Sequence, residues 1–214
     1  MISRQQSIAD LIGRARLAEG LTIAWMAVEL VVALWAGIAA HSVVLTTFGI
    51  DSALELFTAT VVLRQLLLHT ERASEEELDR RERQASRLVG WGLVALIAYI
   101  VASSSWSLLS ASKPQPSSLG IALAIAALAV MPVLWVWRLA LADRLDSPAL
   151  RGDAACSLVC IYMSVVLLVG LLVNRFLGWW WADPLAGLAM IWWIRGEAME
   201  ALEAARTGRR CDDD

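Results

Sequence analysis

Two carboxylates stand in one of the most apolar stretches of the chain, FGIDSALELF at residues 48–57. Asp51 and Glu55 are four residues apart, so a helix would place both on one face with their Cβ atoms roughly 5–6 Å apart. Each carboxylate would cost about 2.5–3.5 kcal/mol at the centre of a bilayer, so a pair that faces lipid is not expected. The pair therefore predicts one of two arrangements: protonated acids that hydrogen-bond to a neighbouring helix, or a hydrated cation site.

A second stretch, RGDAACSLVC at residues 151–160, carries thiols at the same spacing. Cys156 and Cys160 are four residues apart, and Asp153 precedes them by about one turn. Two helices that each offer such a pair would supply the four ligands Zn²⁺ prefers, with carboxylate oxygens at about 2.0–2.2 Å and thiolates at about 2.3 Å. By themselves the two cysteines are also compatible with simple packing, since cysteine is a small residue that is often buried. A disulfide between them is not expected, because residues one turn apart are poorly aimed for it.

Two further acids have their own interpretations. Glu29 lies in the middle of the first long apolar stretch, where it would serve as an accessory proton carrier or hydrogen-bond to a neighbouring helix. Asp183, in WADPLAG, precedes Pro184 and is predicted to cap the last helix.

The composition of the chain indicates which kind of secondary-structure element positions these residues. The 214 residues are 58% hydrophobic, with a mean hydropathy of +0.61, against roughly 45–50% apolar residues in soluble domains. Several runs exceed the roughly 18–20 apolar residues that cross a bilayer. The sequence predicts an all-α, polytopic membrane protein without a cleavable signal peptide. Nucleic acid is not an expected partner, since no basic domain is present. An enzyme is not expected either, because a cysteine nucleophile normally needs a nearby base, and both histidines lie near helix ends.

Six transmembrane helices fit the pattern. We predict them at about 21–40, 43–68, 88–109, 119–140, 148–174 and around the uncharged segment 184–194. Residues 1–20 then form a cytoplasmic N-terminal segment, 21–205 the transport domain, and 206–214 a short cytoplasmic tail. Residues 7–17 are expected as an amphipathic helix on the inner membrane surface or as a frayed terminus. The charged segment before helix 3 is expected as a cytoplasmic helix or loop.

The basic residues predict the orientation. With both termini in the cytoplasm, sixteen of the 18 lysines and arginines lie inside, and Lys113 and Arg175 lie outside. Cytoplasmic loops of membrane proteins collect positive charge. The expected topology is therefore N-in and C-in.

These residues resemble the transmembrane domain of the cation diffusion facilitator family. That family carries a (His/Asp)xxxAsp pair on helix 2, which DSALE matches through Asp51 and Glu55. It carries HisxxxAsp on helix 5, often after an aspartate, and DAACSLVC matches with Asp153 on the aspartate and Cys156 and Cys160 on the pair. WWADPLAGLAMIWWIRGEAMEAL is similar to the family's sixth helix. The departures are Glu for Asp on helix 2 and two cysteines for His and Asp on helix 5.

The resemblance implies a transporter that exports Zn²⁺ from the cytoplasm in exchange for protons, working as a homodimer in the cell (inner) membrane. The thiols favour a soft divalent ion, so Cd²⁺ is a further expected substrate. The resemblance covers the transmembrane domain, about 20–205, and the family's usual C-terminal cytoplasmic domain is not expected. The alternative is a membrane scaffold or regulatory subunit that does not transport, in which the buried acids and cysteines are structural.

Overall fold

In a computed structural model, which describes residues 2–68, 75–145 and 148–207, the chain consists of helices. They are α1 (Ile2–Ala40), α2 (Val43–Leu68), α3 (Glu75–Leu109), α4 (Ser118–Leu145), α5 (Pro148–Leu177) and α6 (Ala182–Thr207). No strand occurs within those three ranges. The predicted all-α class and the six-helix order are confirmed.

Five of these helices contain a stretch long and apolar enough to cross a membrane. The stretches are Asp10–Ala40, Val43–Val61, Ser86–Leu109, Ser118–Leu145 and Ser157–Leu177. Helix α6 is not among them, because charged residues such as Arg195 and Glu197 flank its apolar stretch. It nevertheless packs against α2, α3 and α5. The chain is a multi-pass membrane protein.

The first helix begins earlier than the sequence predicts. Helix α1 is continuous from Ile2, so residues 7–17 form neither a separate surface helix nor a frayed end. The physical reason is packing: Ala15 and Ala18 are fully buried against Leu141 and Ala142 of α4. Small side chains let two helices approach closely, and this contact holds the N-terminal turns of α1 on the bundle rather than on the membrane surface. In the charged segment before helix 3, the chain is helical from Glu75 onward.

Helix α2 lies at the centre of the bundle. It packs against α1, α3, α5 and α6, and its side chains Leu45 and Phe48 are among the largest that are fully buried. A residue on α2 can therefore be approached from four neighbouring helices.

The turns between α1 and α2, α3 and α4, and α5 and α6 meet at one end of the bundle. The Gln115 amide donates a hydrogen bond of 2.8 Å to the carbonyl oxygen of Ala40, and the Asn174 side chain donates one of 3.1 Å to that of Pro114. His41, with φ of 53°, makes the sharp turn between α1 and α2. The alternating direction of the helices agrees with the predicted topology. The side that faces the cytoplasm stays a prediction.

Candidate functional site

The predicted acid pair lies on the central helix, inside the bundle. Asp51 and Glu55 are 1% and 6% exposed, and they sit about 12 and 18 Å along α2 from its first residue. Neither carboxylate oxygen of Asp51 accepts a hydrogen bond from a described residue. Buried acceptors are normally satisfied, because an unpaired one keeps its full desolvation cost. The pair thus has the burial predicted for it, and Asp51 has no hydrogen-bond donor on a neighbouring helix among the described residues.

One predicted thiol reaches this pair. Cys160 on α5 is fully buried and is not in a disulfide. Its thiol lies within reach of the Glu55 carboxyl group, whose oxygens have no other hydrogen-bond partner among the described residues. Helices α2 and α5 therefore meet where the sequence predicts a shared site.

The other two predicted residues of α5 are Cys156 and Asp153. Both belong to the helical backbone of α5, but their side chains lie outside the described part of the structure. Whether they face Asp51 and Glu55 stays a prediction.

Two more acids approach the pair from other helices. Glu29 on α1 is fully buried and interacts electrostatically with both Asp51 and Glu55. Glu197 on α6 interacts with the same two acids, and its Oε1 is buried with no partner among the described residues. We call Glu29, Asp51, Glu55, Cys160 and Glu197 the acidic cluster.

Sequence reasoning considered Glu29 but missed Glu197. The signal for Glu197 was weak, because it lies in a helix end that also carries Arg195, Glu200 and Glu203. Such a run of charges usually indicates a helix end that is exposed to water. A helical wheel of α6 cannot by itself show which of these acids turns toward α2.

The acidic cluster is not a closed coordination shell. In the part of the chain that the structure describes, no three His, Cys, Asp or Glu side chains converge closely enough to hold a metal ion together. The acid pair on α2 interacts electrostatically with one thiol and two carboxyl groups on three neighbouring helices.

A buried ion pair lies beside the cluster, toward the N-terminal end of α1. Arg138 on α4 and Glu19 on α1 are both fully buried, with Nη1 and Oε2 3.6 Å apart. Arg138 also donates a hydrogen bond to the hydroxyl group of Ser157. Ser157 precedes Cys160 by less than one helical turn. The ion pair between Arg138 and Glu19 therefore lies in the layer of the bundle next to the acidic cluster.

Asp183 caps a different helix from the one predicted. Its carboxylate accepts hydrogen bonds from the Ser42 hydroxyl and from the backbone amides of Val43, at 2.7 Å, and Val44, at 3.4 Å. Those amides begin α2 and have no partner within that helix. Asp183 therefore satisfies the first turn of α2, and the expectation that it caps the last helix is wrong. It lies inside the first turn of α6, where its side chain is free to reach the adjacent helix end.

Comparison with known proteins gives two findings. Residues 21–205 match a protein-family model described as the cation efflux transmembrane domain. An uncharacterized transporter of Synechocystis sp. is 33% identical over 154 residues, which cover 70% of this chain and 49% of that protein. The chain thus spans about half the length of this relative.

Proposed function

We propose that this chain, which belongs to the cation efflux family, exports a divalent metal ion, Zn²⁺ foremost, from the cytoplasm in exchange for protons. Family membership places the chain among membrane transporters rather than enzymes. The identity of the ion, the exchange with protons and the position of the site are our proposals.

The unpartnered carboxylate of Asp51 carries the proposal. Both of its oxygens are buried and accept no hydrogen bond from a described residue, and Glu55 lies one turn away on the same helix. Two adjacent buried carboxylates repel each other, and burial penalises charge that is not compensated. A divalent cation removes both penalties together, since it supplies opposite charge and takes oxygen ligands.

The thiol of Cys160 supports a soft ion. Thiolates select Zn²⁺ and Cd²⁺ over Mn²⁺ or Mg²⁺, and this sulfur lies beside Glu55. We extend the proposed ligand set to Cys156 and Asp153, which precede Cys160 by about one and two turns of α5. Because the described side chains do not form a closed shell, the ligands would draw together around the ion when it binds.

Exchange with protons follows from the chemistry of these ligands. Carboxylates and thiols bind a metal in their deprotonated forms, so loading the ion releases protons and reprotonation discharges it. Export from the cytoplasm rests on the predicted N-in, C-in orientation. The homodimer and the inner membrane location rest on the family resemblance.

Transport by purified protein in liposomes tests the proposal. Zn²⁺ entry, followed with an indicator trapped inside the vesicles, should depend on an imposed pH gradient. The double variant Asp51→Asn/Glu55→Gln removes both charges at nearly constant volume and should abolish flux. The matched control is Asp10→Asn/Glu200→Gln, which makes the same two changes at exposed positions and should leave flux intact.

Two outcomes would contradict the proposal. Flux that persists in Asp51→Asn/Glu55→Gln would remove the site from these residues. Zn²⁺ that binds tightly to the wild type without any flux would favour the scaffold or regulatory subunit.

A further inference from the structure

One threonine of the first two helices differs from the others in how its hydroxyl group is bonded. Helices α1 and α2 carry five threonines. Four of them donate a hydrogen bond to a backbone carbonyl oxygen three or four residues earlier, namely Thr22, Thr46, Thr58 and Thr60. Such a bond satisfies the hydroxyl group within its own helix. The fifth is Thr47, whose Oγ1 is fully buried and has no hydrogen-bond partner among the described residues.

Thr47 lies one turn from the acid pair on the same helix. Thr47, Asp51 and Glu55 follow one another at a spacing of four residues on α2, so neighbours in this series share a face, with Cβ atoms roughly 5–6 Å apart. Side chains on a helix tilt toward its N-terminus, so the Asp51 side chain leans toward the turn that carries Thr47. Both carboxylate oxygens of Asp51 also lack a partner among the described residues. A buried hydroxyl group and a buried carboxylate therefore lie side by side without a hydrogen bond between them.

The missing bond of Thr47 calls for a physical reason. A buried hydroxyl group without a partner keeps its desolvation cost. The adjacent residue, Thr46, avoids this cost through a hydrogen bond of 2.8 Å to the carbonyl oxygen of Ser42. The corresponding bond from Thr47 to the carbonyl oxygen of Val43 is not made. The hydroxyl group thus keeps a free oxygen next to Asp51, as a group that binds a ligand would.

We propose that the Thr47 hydroxyl oxygen is a neutral ligand of the divalent ion held at Asp51. The inference rests on the proposed function, because it adds a ligand to the same ion. A hydroxyl oxygen has lone pairs that bind a cation while its proton stays in place, so Thr47 adds coordination without adding charge. It lies about 6 Å along α2 from the first residue of that helix, nearer the α1–α2 turn than Asp51 is. In the predicted orientation this is the outer side of the acid pair, from which the ion leaves.

This role predicts opposite effects on stability and on metal binding. Thr47→Val keeps the shape of the side chain and removes the hydroxyl group. In the metal-free protein it replaces an unpartnered buried group by an apolar one, so the unfolding temperature should rise. In the metal-bound protein it removes a ligand, so the affinity should fall. A packing defect would instead lower the unfolding temperature and the affinity together.

The test is equilibrium binding of Mn²⁺, Zn²⁺ and Cd²⁺ to the full chain in detergent, by calorimetry, together with thermal unfolding of the metal-free protein. Loss of a group that supports a metal site typically lowers affinity by roughly 10–100-fold. For Thr47→Val we expect the lower end of that range, with the largest loss for Mn²⁺, because hard oxygen ligands suit that ion. Thr47→Ser keeps the hydroxyl group and should retain the affinity. The matched control is Thr22→Val, which removes an equally buried hydroxyl group that is already bonded and should leave the affinity unchanged.

The results separate this inference from the proposed function. Wild-type affinities in Thr47→Val, together with lost binding in Asp51→Asn/Glu55→Gln, would overturn the role of Thr47 and leave the proposed function standing. Unchanged binding in both variants would overturn both. A loss in Thr47→Val that also occurs in Thr47→Ser, or that comes with a lower unfolding temperature, would make Thr47 structural and overturn the inference.

A second variant covers the case in which Thr47→Val does not fold, as judged by its elution profile. Thr47→Cys has a side chain of similar size and places a sulfur atom where the hydroxyl oxygen lies. Since thiolates select soft ions, a ligand role predicts that the affinity for Cd²⁺ rises relative to that for Mn²⁺. An unchanged ratio of the two affinities would contradict the inference.

Discussion

Arg138 and Glu19 form an ion pair across α4 and α1 in which both side chains are fully buried, with 3.6 Å between Nη1 and Oε2. The pair lies next to Ser157 on α5, to which Arg138 donates a hydrogen bond. Three helices are thereby joined in the layer beside the acidic cluster.

Removing one member of this pair should destabilise the protein. Arg138→Met takes away the positive charge that faces the buried Glu19 carboxylate, which typically costs about 3–5 kcal/mol. The double variant Glu19→Gln/Arg138→Met removes both charges and should be more stable than Arg138→Met alone. Thermal unfolding in detergent measures both effects. If the loss in the double variant equals the sum of the losses in Arg138→Met and in Glu19→Gln alone, the pairing contributes nothing.

The two cysteines of α5 should differ from the third cysteine in their effect on selectivity. Cys160→Ser is expected to weaken Zn²⁺ and Cd²⁺ binding more than Mn²⁺ binding, because it exchanges a soft ligand for a hard one. Cys156→Ser should act in the same direction if that residue is a ligand. Cys211→Ser, in the predicted tail, is the matched control. Unchanged selectivity in both α5 variants would mean that these cysteines only pack.

Metal binding should release protons. Since the proposed ligands bind in their deprotonated forms, affinity for Zn²⁺ should rise as the pH rises. Calorimetry in two buffers with different ionisation enthalpies gives the number of protons released per ion. An affinity that does not depend on pH would contradict exchange at these ligands.

The cap that Asp183 provides to α2 should contribute to stability. Asp183→Ala removes the acceptor for two backbone amides and one hydroxyl group, and leaving buried donors unpaired costs about 1–3 kcal/mol. Ser118→Ala is the control, because it removes an exposed hydrogen bond to Arg175 at the same end of the bundle. Unfolding at equal temperatures in the two variants would show that the cap is dispensable.

The orientation can be tested by labelling with a reagent that does not cross membranes. Lys113→Cys and Arg83→Cys place a thiol at exposed positions of opposite ends, each in a Cys211→Ser background. The excess of basic residues predicts that intact cells are labelled at position 113 and not at position 83. The reverse pattern would invert the topology and with it the direction of transport.

Local sequence patterns predicted the features that depend on the geometry of a single helix. The spacing of Asp51 and Glu55 predicted their shared face, and the apolar runs predicted six helices, because both follow from the geometry of a single helix. Cys160, one member of the predicted α5 motif, is buried within reach of Glu55.

Contacts between distant segments were not predictable in this way. The partner of Asp183 lies 140 residues earlier in the chain, and nothing in the residues around Asp183 indicates it. The continuous first helix depends on the packing of Ala15 against α4, and Glu197 interacts electrostatically with the acid pair because α6 packs against α2. These features depend on how the helices pack against one another. The residues of each helix, taken separately, do not reveal that packing.

The bond between Asp183 and the start of α2 also imposes an order on assembly. Helix α2 is synthesised long before residue 183. The amides of Val43 and Val44 therefore lack their acceptor, the Asp183 carboxylate, until the last helix has entered the bundle. During that interval, the Ser42 hydroxyl, which accepts a hydrogen bond of 3.2 Å from the Leu45 amide, is available to hold the first turn. The central helix, which carries both acids, is therefore completed only when the sixth helix arrives.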